Sequence, residues 1–187
     1  MKPKLWFIVI GLVVLGFMVF IGYALTRPDT TPQQAQDQKS SDGKTLLGDK
    51  HDDLGQKHIN NGEAHDPYNS NMPSSGPHNM QPADWGISTG QIADETLVHN
   101  MEHGGIVIAY RPSLPADQVS QLKKVFENLP KESKFNKVKA VLVPRQGNEK
   151  AVQLAAWTYT YNMDSIDEAK IKQFYLDHVD KGPELVP

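Results

Sequence analysis

DETLVHNMEHGGIVIAY, residues Asp94 to Tyr110, reads as a short helix, a glycine stop and a buried strand. Asp94 is the expected N-cap, because its carboxylate can accept a bond from a backbone N–H that has no partner inside the helix. Glu95 adds negative charge at the positive end of the helix dipole. Gly104 falls where a helix would end in the left-handed conformation that glycine adopts at little cost. Ile106 to Tyr110 is then a continuous apolar, β-rich run, as a central strand requires. His99 and His103 lie four residues apart on the helix, so both rings emerge from one face, one turn apart. Two imidazoles at that spacing can grip one metal ion.

Downstream of this stretch the pattern is regular. A helix is expected from Pro115 to about Asn128, with Val119, Leu122, Val125 and Phe126 on one face. KAVLVP within 137–144 reads as a second buried strand, and AVQLAAWTYTY, 151–161, as a longer one. Gly147-Asn148 between them suggests that the two form a hairpin. Asp164 or Ser165 is the expected cap of a last helix, Ile166–Val179. The order helix, strand, helix, strand, strand, helix points to a single α+β domain with a small mixed sheet, and a thioredoxin-like arrangement would accommodate it. That analogy carries no function, since the chain has no cysteine.

Upstream, residues 58–93 form a long segment interrupted by Pro67, Pro73, Pro77 and Pro82 and by four glycines, which forbids a long helix or strand. Loops of this length are functional or disordered. Tyr68, Trp85, Ile87 and Ile92 are spaced to pin this one to the core, so the expectation is an ordered loop that brings side chains toward the His99/His103 face. Residues 27–57 are rich in Gln, Asp, Ser and Gly and read as a flexible tether. Residues 5–26 carry no charge and, at 1.5 Å per residue, would span roughly 33 Å, enough for a bilayer core of about 30 Å. Lys2 and Lys4, within the short stretch 1–4, keep that end cytoplasmic. No A-x-A cleavage site follows, so a retained anchor is preferred over a signal peptide. The expected layout is therefore a single-pass cell-membrane protein with an extracytoplasmic domain at 58–187, its expected partner being the lipid bilayer.

Composition removes several functions. The net charge is −3 and the pI about 6.1, with no basic stripe. This argues against nucleic acid as a partner, which needs clustered Lys and Arg. The absence of cysteine excludes disulfides, zinc–thiolate sites and iron–sulfur clusters. Any metal must be held by His, Met or carboxylate. The candidate ligands are His99 and His103 on the helix with His78 and Met80 in the loop. Met101, His58 and His178 are outside possibilities. A His/Met set without Cys suits copper best, because thioether is a soft donor, and zinc with three histidines is the next choice. Storage, sensing or delivery to an exported metalloprotein would be the corresponding roles.

Competing readings stand beside this one. The histidines can be satisfied polar residues of a structural or partner-binding domain. His99-Asn100-Met101-Glu102-His103 also matches H-x-x-E-H, the pattern of inverted zinc peptidases, in which Glu102 would be a general base. Those enzymes are far larger, and Gly104-Gly105 stops this helix at once. Glu102 reads as roughly 100° around the helix from each histidine, which makes it a ligand only from a neighbouring face or through a distorted helix. Ser74 or Ser75 with His78 is a weaker hydrolase pairing. Met101 and Met72 read as packing residues, and His51 and His65 as solvated.

PSSGPH at 73–78, ADWGI at 83–87, LVHNMEHGGIVIAY at 97–110 and DHVDKGPE at 177–184 resemble the motifs of the domain-of-unknown-function family 3105. The resemblance covers His58 to Glu184, and the histidine–glutamate–histidine–glycine–glycine core is its specific part. It implies a bacterial or archaeal protein with one N-terminal transmembrane segment and an extracytoplasmic domain. Members often carry two prolines where this chain has Pro73-Ser74, a structural departure. The family's activity is not established, so the resemblance implies no chemistry.

Overall fold

The structure, a computed structural model, describes residues 45–134, 136–184 and 186 together with the backbone of Gln38–Lys39. The expected anchor at 5–26 and most of the expected tether lie outside the described residues. No helix among the described residues is long and apolar enough to cross a membrane.

The elements are β1 (Gln38–Lys39), β2 (Thr45–Leu46), β3 (Asp49–Lys50), β4 (His58–Ile59), β5 (His78–Asn79), β6 (Gly86–Ile87), α1 (Asp94–Glu102), β7 (Ile106–Tyr110), α2 (Ala116–Glu127), β8 (Ala140–Pro144), β9 (Val152–Ala156), β10 (Tyr159–Met163) and α3 (Glu168–His178). Six strands form one mixed sheet in the order β3-β10-β9-β7-β8-β6. β7 is parallel to β8 and antiparallel to β9, and β6 extends the parallel side. The fold is α+β, with helices on both faces of the sheet.

Every residue of β7 is buried, which is why it reads as an unbroken apolar run. Its alternate side chains feed two cores. Ile106, Ile108 and Tyr110 join Leu142, Leu154 and the α2 and α3 residues Leu122, Phe126, Ile171 and Phe174. Val107 and Ala109 join Val141, Val143, Ala155 and Trp157, and there meet Leu97, Val98 and Met101 of α1 with Met72 of the loop. Each larger aliphatic side chain removed from water contributes about 1.5–3 kcal/mol.

Several expectations are corrected. Residues 45–57 are not tether: Leu46 and Leu47 are buried, β3 pairs with β10, and His51 reaches the Thr160 hydroxyl at 2.7 Å. The two leucines, diluted in a polar stretch, supply the apolar anchor. β8 and β9 are not a hairpin, because β7 lies between them. A strand apolar on both faces and in mid-sheet needs a partner on each edge, and β8 and β9 supply them. Asn148, at the expected hairpin tip, donates instead to the Ala109 carbonyl of β7 at 2.9 Å. The hairpin that does form is β9–β10, since the run 151–161 breaks at Trp157-Thr158, with Thr158 at φ 61°. The Thr158 backbone is held on both sides, donating to the Ser74 carbonyl at 2.9 Å and accepting from His51 at 2.8 Å.

Capping differs as well. Ala93 is the N-cap of α1. Asp94 instead accepts two bonds of 2.7 Å from the Arg145 guanidinium, fixing the start of α1 to the turn after β8. Asp167 caps α3, accepting from the Lys170 N–H. The glycine stop of α1 is as expected. Gly104 has φ 78°, and the Gly104 and Gly105 N–H groups return to the Met101 and Asn100 carbonyls at 2.9 and 2.8 Å, a Schellman closure. Gly105 is required for a different reason: a Cβ there would lie 2.3 Å from the Trp85 ring.

Candidate metal centre

Four segments converge at the C-terminal end of α1. The first two are the short strands β4 and β5, which pair in parallel with His58 opposite His78. Directly paired residues of a ladder project to the same side, so the two imidazoles stand together, ring centroids 4.6 Å apart. This places His58, twenty residues earlier in the chain, beside His78. The third segment is α1 itself. His99 brings its ring to 5.1 Å from each of the other two. Glu102, one turn on, is buried to 0% exposure. The fourth is the chain after α3, which returns across the end of α1 through Asp180 N–H to the Gly104 carbonyl at 2.9 Å and Glu184 N–H to the Glu102 carbonyl at 3.0 Å.

The Glu102 carboxylate is the centre of the arrangement. Its Oε2 lies 3.0 Å from His78 Nε2, 3.5 Å from His58 Nε2 and 3.9 Å from His99 Nε2. No lysine or arginine among the described residues pairs with it. Its Oε1 is buried with no hydrogen-bond partner among the described residues. The helix needs no distortion to present it: Glu102 is three residues after His99, about 60° around the helix, and such pairs are neighbours on the helix surface. The expected angle of about 100° holds for His103 alone.

Backbone carbonyls fix the tautomers. His78 Nδ1 is 2.8 Å from the Gly76 carbonyl, and His99 Nδ1 is 2.6 Å from the Asn79 carbonyl. A carbonyl only accepts, so each Nδ1 carries a hydrogen and donates it. Each Nε2 then meets another polar group: that of His78 lies 3.0 Å from Glu102 Oε2, and that of His99 lies 3.0 Å from His103 Nε2 and 3.9 Å from Glu102 Oε2. Imidazoles that ligate metals are held in this way, the distal N–H donated to a carbonyl or carboxylate. Burial pushes the His99 imidazole below its ordinary pKa, against the pull of the Asn79 carbonyl. His103 is also lowered, first by burial and then by His99. Neutral rings are the form in which histidine binds metal.

His58, His78, His99 and Glu102 thus each bring one donor atom to within 4.8 Å of the others. His103 Nε2 is hydrogen-bonded to His99 Nε2 at 3.0 Å, donating to it when the His99 hydrogen lies on Nδ1, and it also groups with Glu102 and Glu184. Met80 is 60% exposed and lines a surface hollow with Ile59, Asn60 and Thr96. His178 lies in the other core, its Nε2 donating to the Leu47 carbonyl at 2.8 Å. Met101 and Met72 are fully buried packing residues. Ser75 Oγ accepts from the Leu54 N–H, not from His78. His65, expected to be solvated, bonds the Asp66 carbonyl and approaches Glu95 at 3.3 Å.

Of the converging groups, His78 and His99 follow from the histidine pattern. Glu102 carried a usable signal, its i,i+3 relation to His99. His58 is only an outside possibility in the sequence, because its place depends on a two-residue ladder too short to show periodicity. Glu184 depends on the return of the chain after α3. There, Gly182 fits where a Cβ would meet the Glu102 carbonyl at 2.2 Å.

No curated protein and no solved structure matches the chain. The family described as "Protein of unknown function (DUF3105)" matches residues 58–186, which spans the ladder of His58 and His78, α1 and the returning segment. The chain belongs to the DUF3105 family.

Proposed function

We propose that the domain is a transition-metal-binding module whose ion is held by His58, His78, His99 and Glu102. The observation that carries this reading is the convergence of three imidazole nitrogens on one buried carboxylate that no lysine or arginine among the described residues pairs with. A carboxylate oxygen and an imidazole lone pair 3.0 Å apart repel unless a cation or a proton lies between them. One proton would satisfy one such pair. A metal ion satisfies all the donors at once, and removes the cost of an isolated buried charge, several kcal/mol. Nitrogen donors at about 2.0–2.1 Å from a tetrahedral ion stand about 3.3 Å apart, so small side-chain movements would close the set.

Three imidazoles and a carboxylate suit zinc and copper(II). Copper(II) binds the same donors more tightly than zinc in the Irving–Williams order. The thioether argument for copper(I) weakens with Met80 in solvent. The composition of residues 5–26 supports membrane attachment through a single apolar segment, with the domain outside the cytoplasm. Transfer of the ion to an exported metalloprotein fits that location. The strand order β10-β9-β7-β8, in which β9 alone runs against the rest, supports a thioredoxin-like core.

The full-length chain, purified without a histidine tag, loaded separately with Cu(II) and Zn(II) and dialysed, should retain the ion tightly. His78→Ala should release it. Loss of both ions from the wild type on dialysis would overturn the reading.

A further inference from the structure

We propose a second, outer cation position formed by His103, Glu184 and Glu102, so that the Glu102 carboxylate bridges two ions. This rests on the reading of the inner cluster as a metal site. Donor atoms of the three residues lie within 4.8 Å of one another, with His103 Nε2 3.6 Å from Glu184 Oε2; an ion there would replace the hydrogen that His103 Nε2 shares with His99 Nε2.

An acidic pair beside a histidine would carry little by itself. The second observation is Glu102: one oxygen lies nearest the three inner imidazoles, and the other is buried without a partner among the described residues. A carboxylate that carries an ion on each oxygen leaves neither orphaned. The chain is built to bring the outer donors there. The Schellman turn places His103 at the end of α1. The returning segment docks Glu184 on the Glu102 carbonyl, with Asp180 in the left-handed region at φ 59°. The nearby Lys139 ammonium does not compete, since Asp180 neutralises it at 2.7 Å.

The two positions differ in access. The inner one has four protein donors, of which only His58 is substantially exposed. The outer one has three donors, with side-chain exposures of 18% at His103 and 46% at Glu184. Three protein donors and an open face leave a coordination position for water or a small anion. Carboxylate-bridged pairs of this kind hold their ions about 3.5–4 Å apart. The outer ion is the exchangeable one, the point where an ion enters from solvent or leaves for an acceptor.

The test is a Zn(II) titration of the full-length chain against a chromophoric chelator, paired with Cu(II) paramagnetic resonance. The wild type should take two equivalents, the second at least tenfold weaker. Glu184→Gln and His103→Ala should each lose the weaker equivalent and keep the tighter one, with unchanged melting of the metal-free chain for the exposed Glu184→Gln. Two Cu(II) ions should give a signal attenuated by coupling, and Glu184→Gln should restore that of an isolated ion. One equivalent in the wild type, unaltered in Glu184→Gln, would overturn the outer position and leave the inner one standing. Two equivalents that Glu184→Gln does not change would also overturn it, as would loss of the tight equivalent in His103→Ala. No binding in the wild type would remove both.

Discussion

His78 and His178 are both buried histidines, on opposite faces of the sheet, and their surroundings differ in kind. His178 lies between the rings of Phe174 and Tyr159, each 4.4 Å away, and its Nε2 donates to the Leu47 carbonyl. Its hydrogen bond ties the chain before β3 to the end of α3. His78 spends its N–H on a carbonyl of its own loop, and directs its other nitrogen at a carboxylate that two more imidazoles also face. Burial alone does not mark a ligand. What separates the two residues is what the interior-facing nitrogen meets: a backbone carbonyl at His178, and at His78 a carboxylate shared with two other imidazoles.

The comparison can be broken most forcefully by truncating each ring. His178→Ala removes a buried aromatic ring and its hydrogen bond. It should cost about 2–4 kcal/mol of stability in chemical denaturation, with metal stoichiometry unchanged. His78→Ala should do the reverse: a small change in metal-free stability and a loss of at least about 100-fold in metal affinity. With free ion at about 100 times the wild-type dissociation constant, binding stabilises the wild type by about 2.7 kcal/mol, a shift that melting with and without chelator would read. Equal behaviour of the two variants would erase the distinction.

Gly105→Ala sharpens it further, because a Cβ there meets Trp85 and the Asn100 carbonyl on the metal face. Overpacking of this kind costs about 1–3 kcal/mol, and should weaken metal binding by disturbing the end of α1. Calorimetry of metal binding by this variant would test that link. The smallest effect is expected at Thr158, a β-branched residue at φ 61°. Thr158→Gly should change stability by about 1 kcal/mol or less in the stabilising direction, since relief of strain offsets the added chain freedom. It should leave the ion in place.

How much of this was legible in the sequence follows from the range of each interaction. The stretch 94–110 could be read almost completely, because helix, stop and strand are decided by neighbours along the chain. Asp94 misled, since its strongest partner is Arg145, far away in sequence. The hairpin expected at Gly147-Asn148 failed because turn chemistry states where the chain reverses, not which strand will lie alongside. Leu46 and Leu47 were lost in a polar background, although burial of two leucines outweighs the average composition of the segment around them. In the candidate site, the histidines of α1 and the proline-held loop were visible as residue types. Glu102 is a neighbour of His99 through its i,i+3 spacing and not of His103 beside it in sequence, and His58 and Glu184 enter through pairings that no local pattern encodes.

The most direct test of the account is Glu102→Gln, melted with and without metal. If lone pairs converge on Glu102 to await a cation, the glutamine amide can donate to the His78 Nε2 lone pair, and no buried charge remains. The metal-free variant should then melt at or a few degrees above the wild type, while the metal-induced rise disappears. If instead His78 and Glu102 form a protonated imidazole–carboxylate pair that serves only the fold, breaking it should cost about 3–5 kcal/mol. A variant that melts well below the wild type, with a wild type indifferent to Cu(II) and Zn(II), would contradict the account.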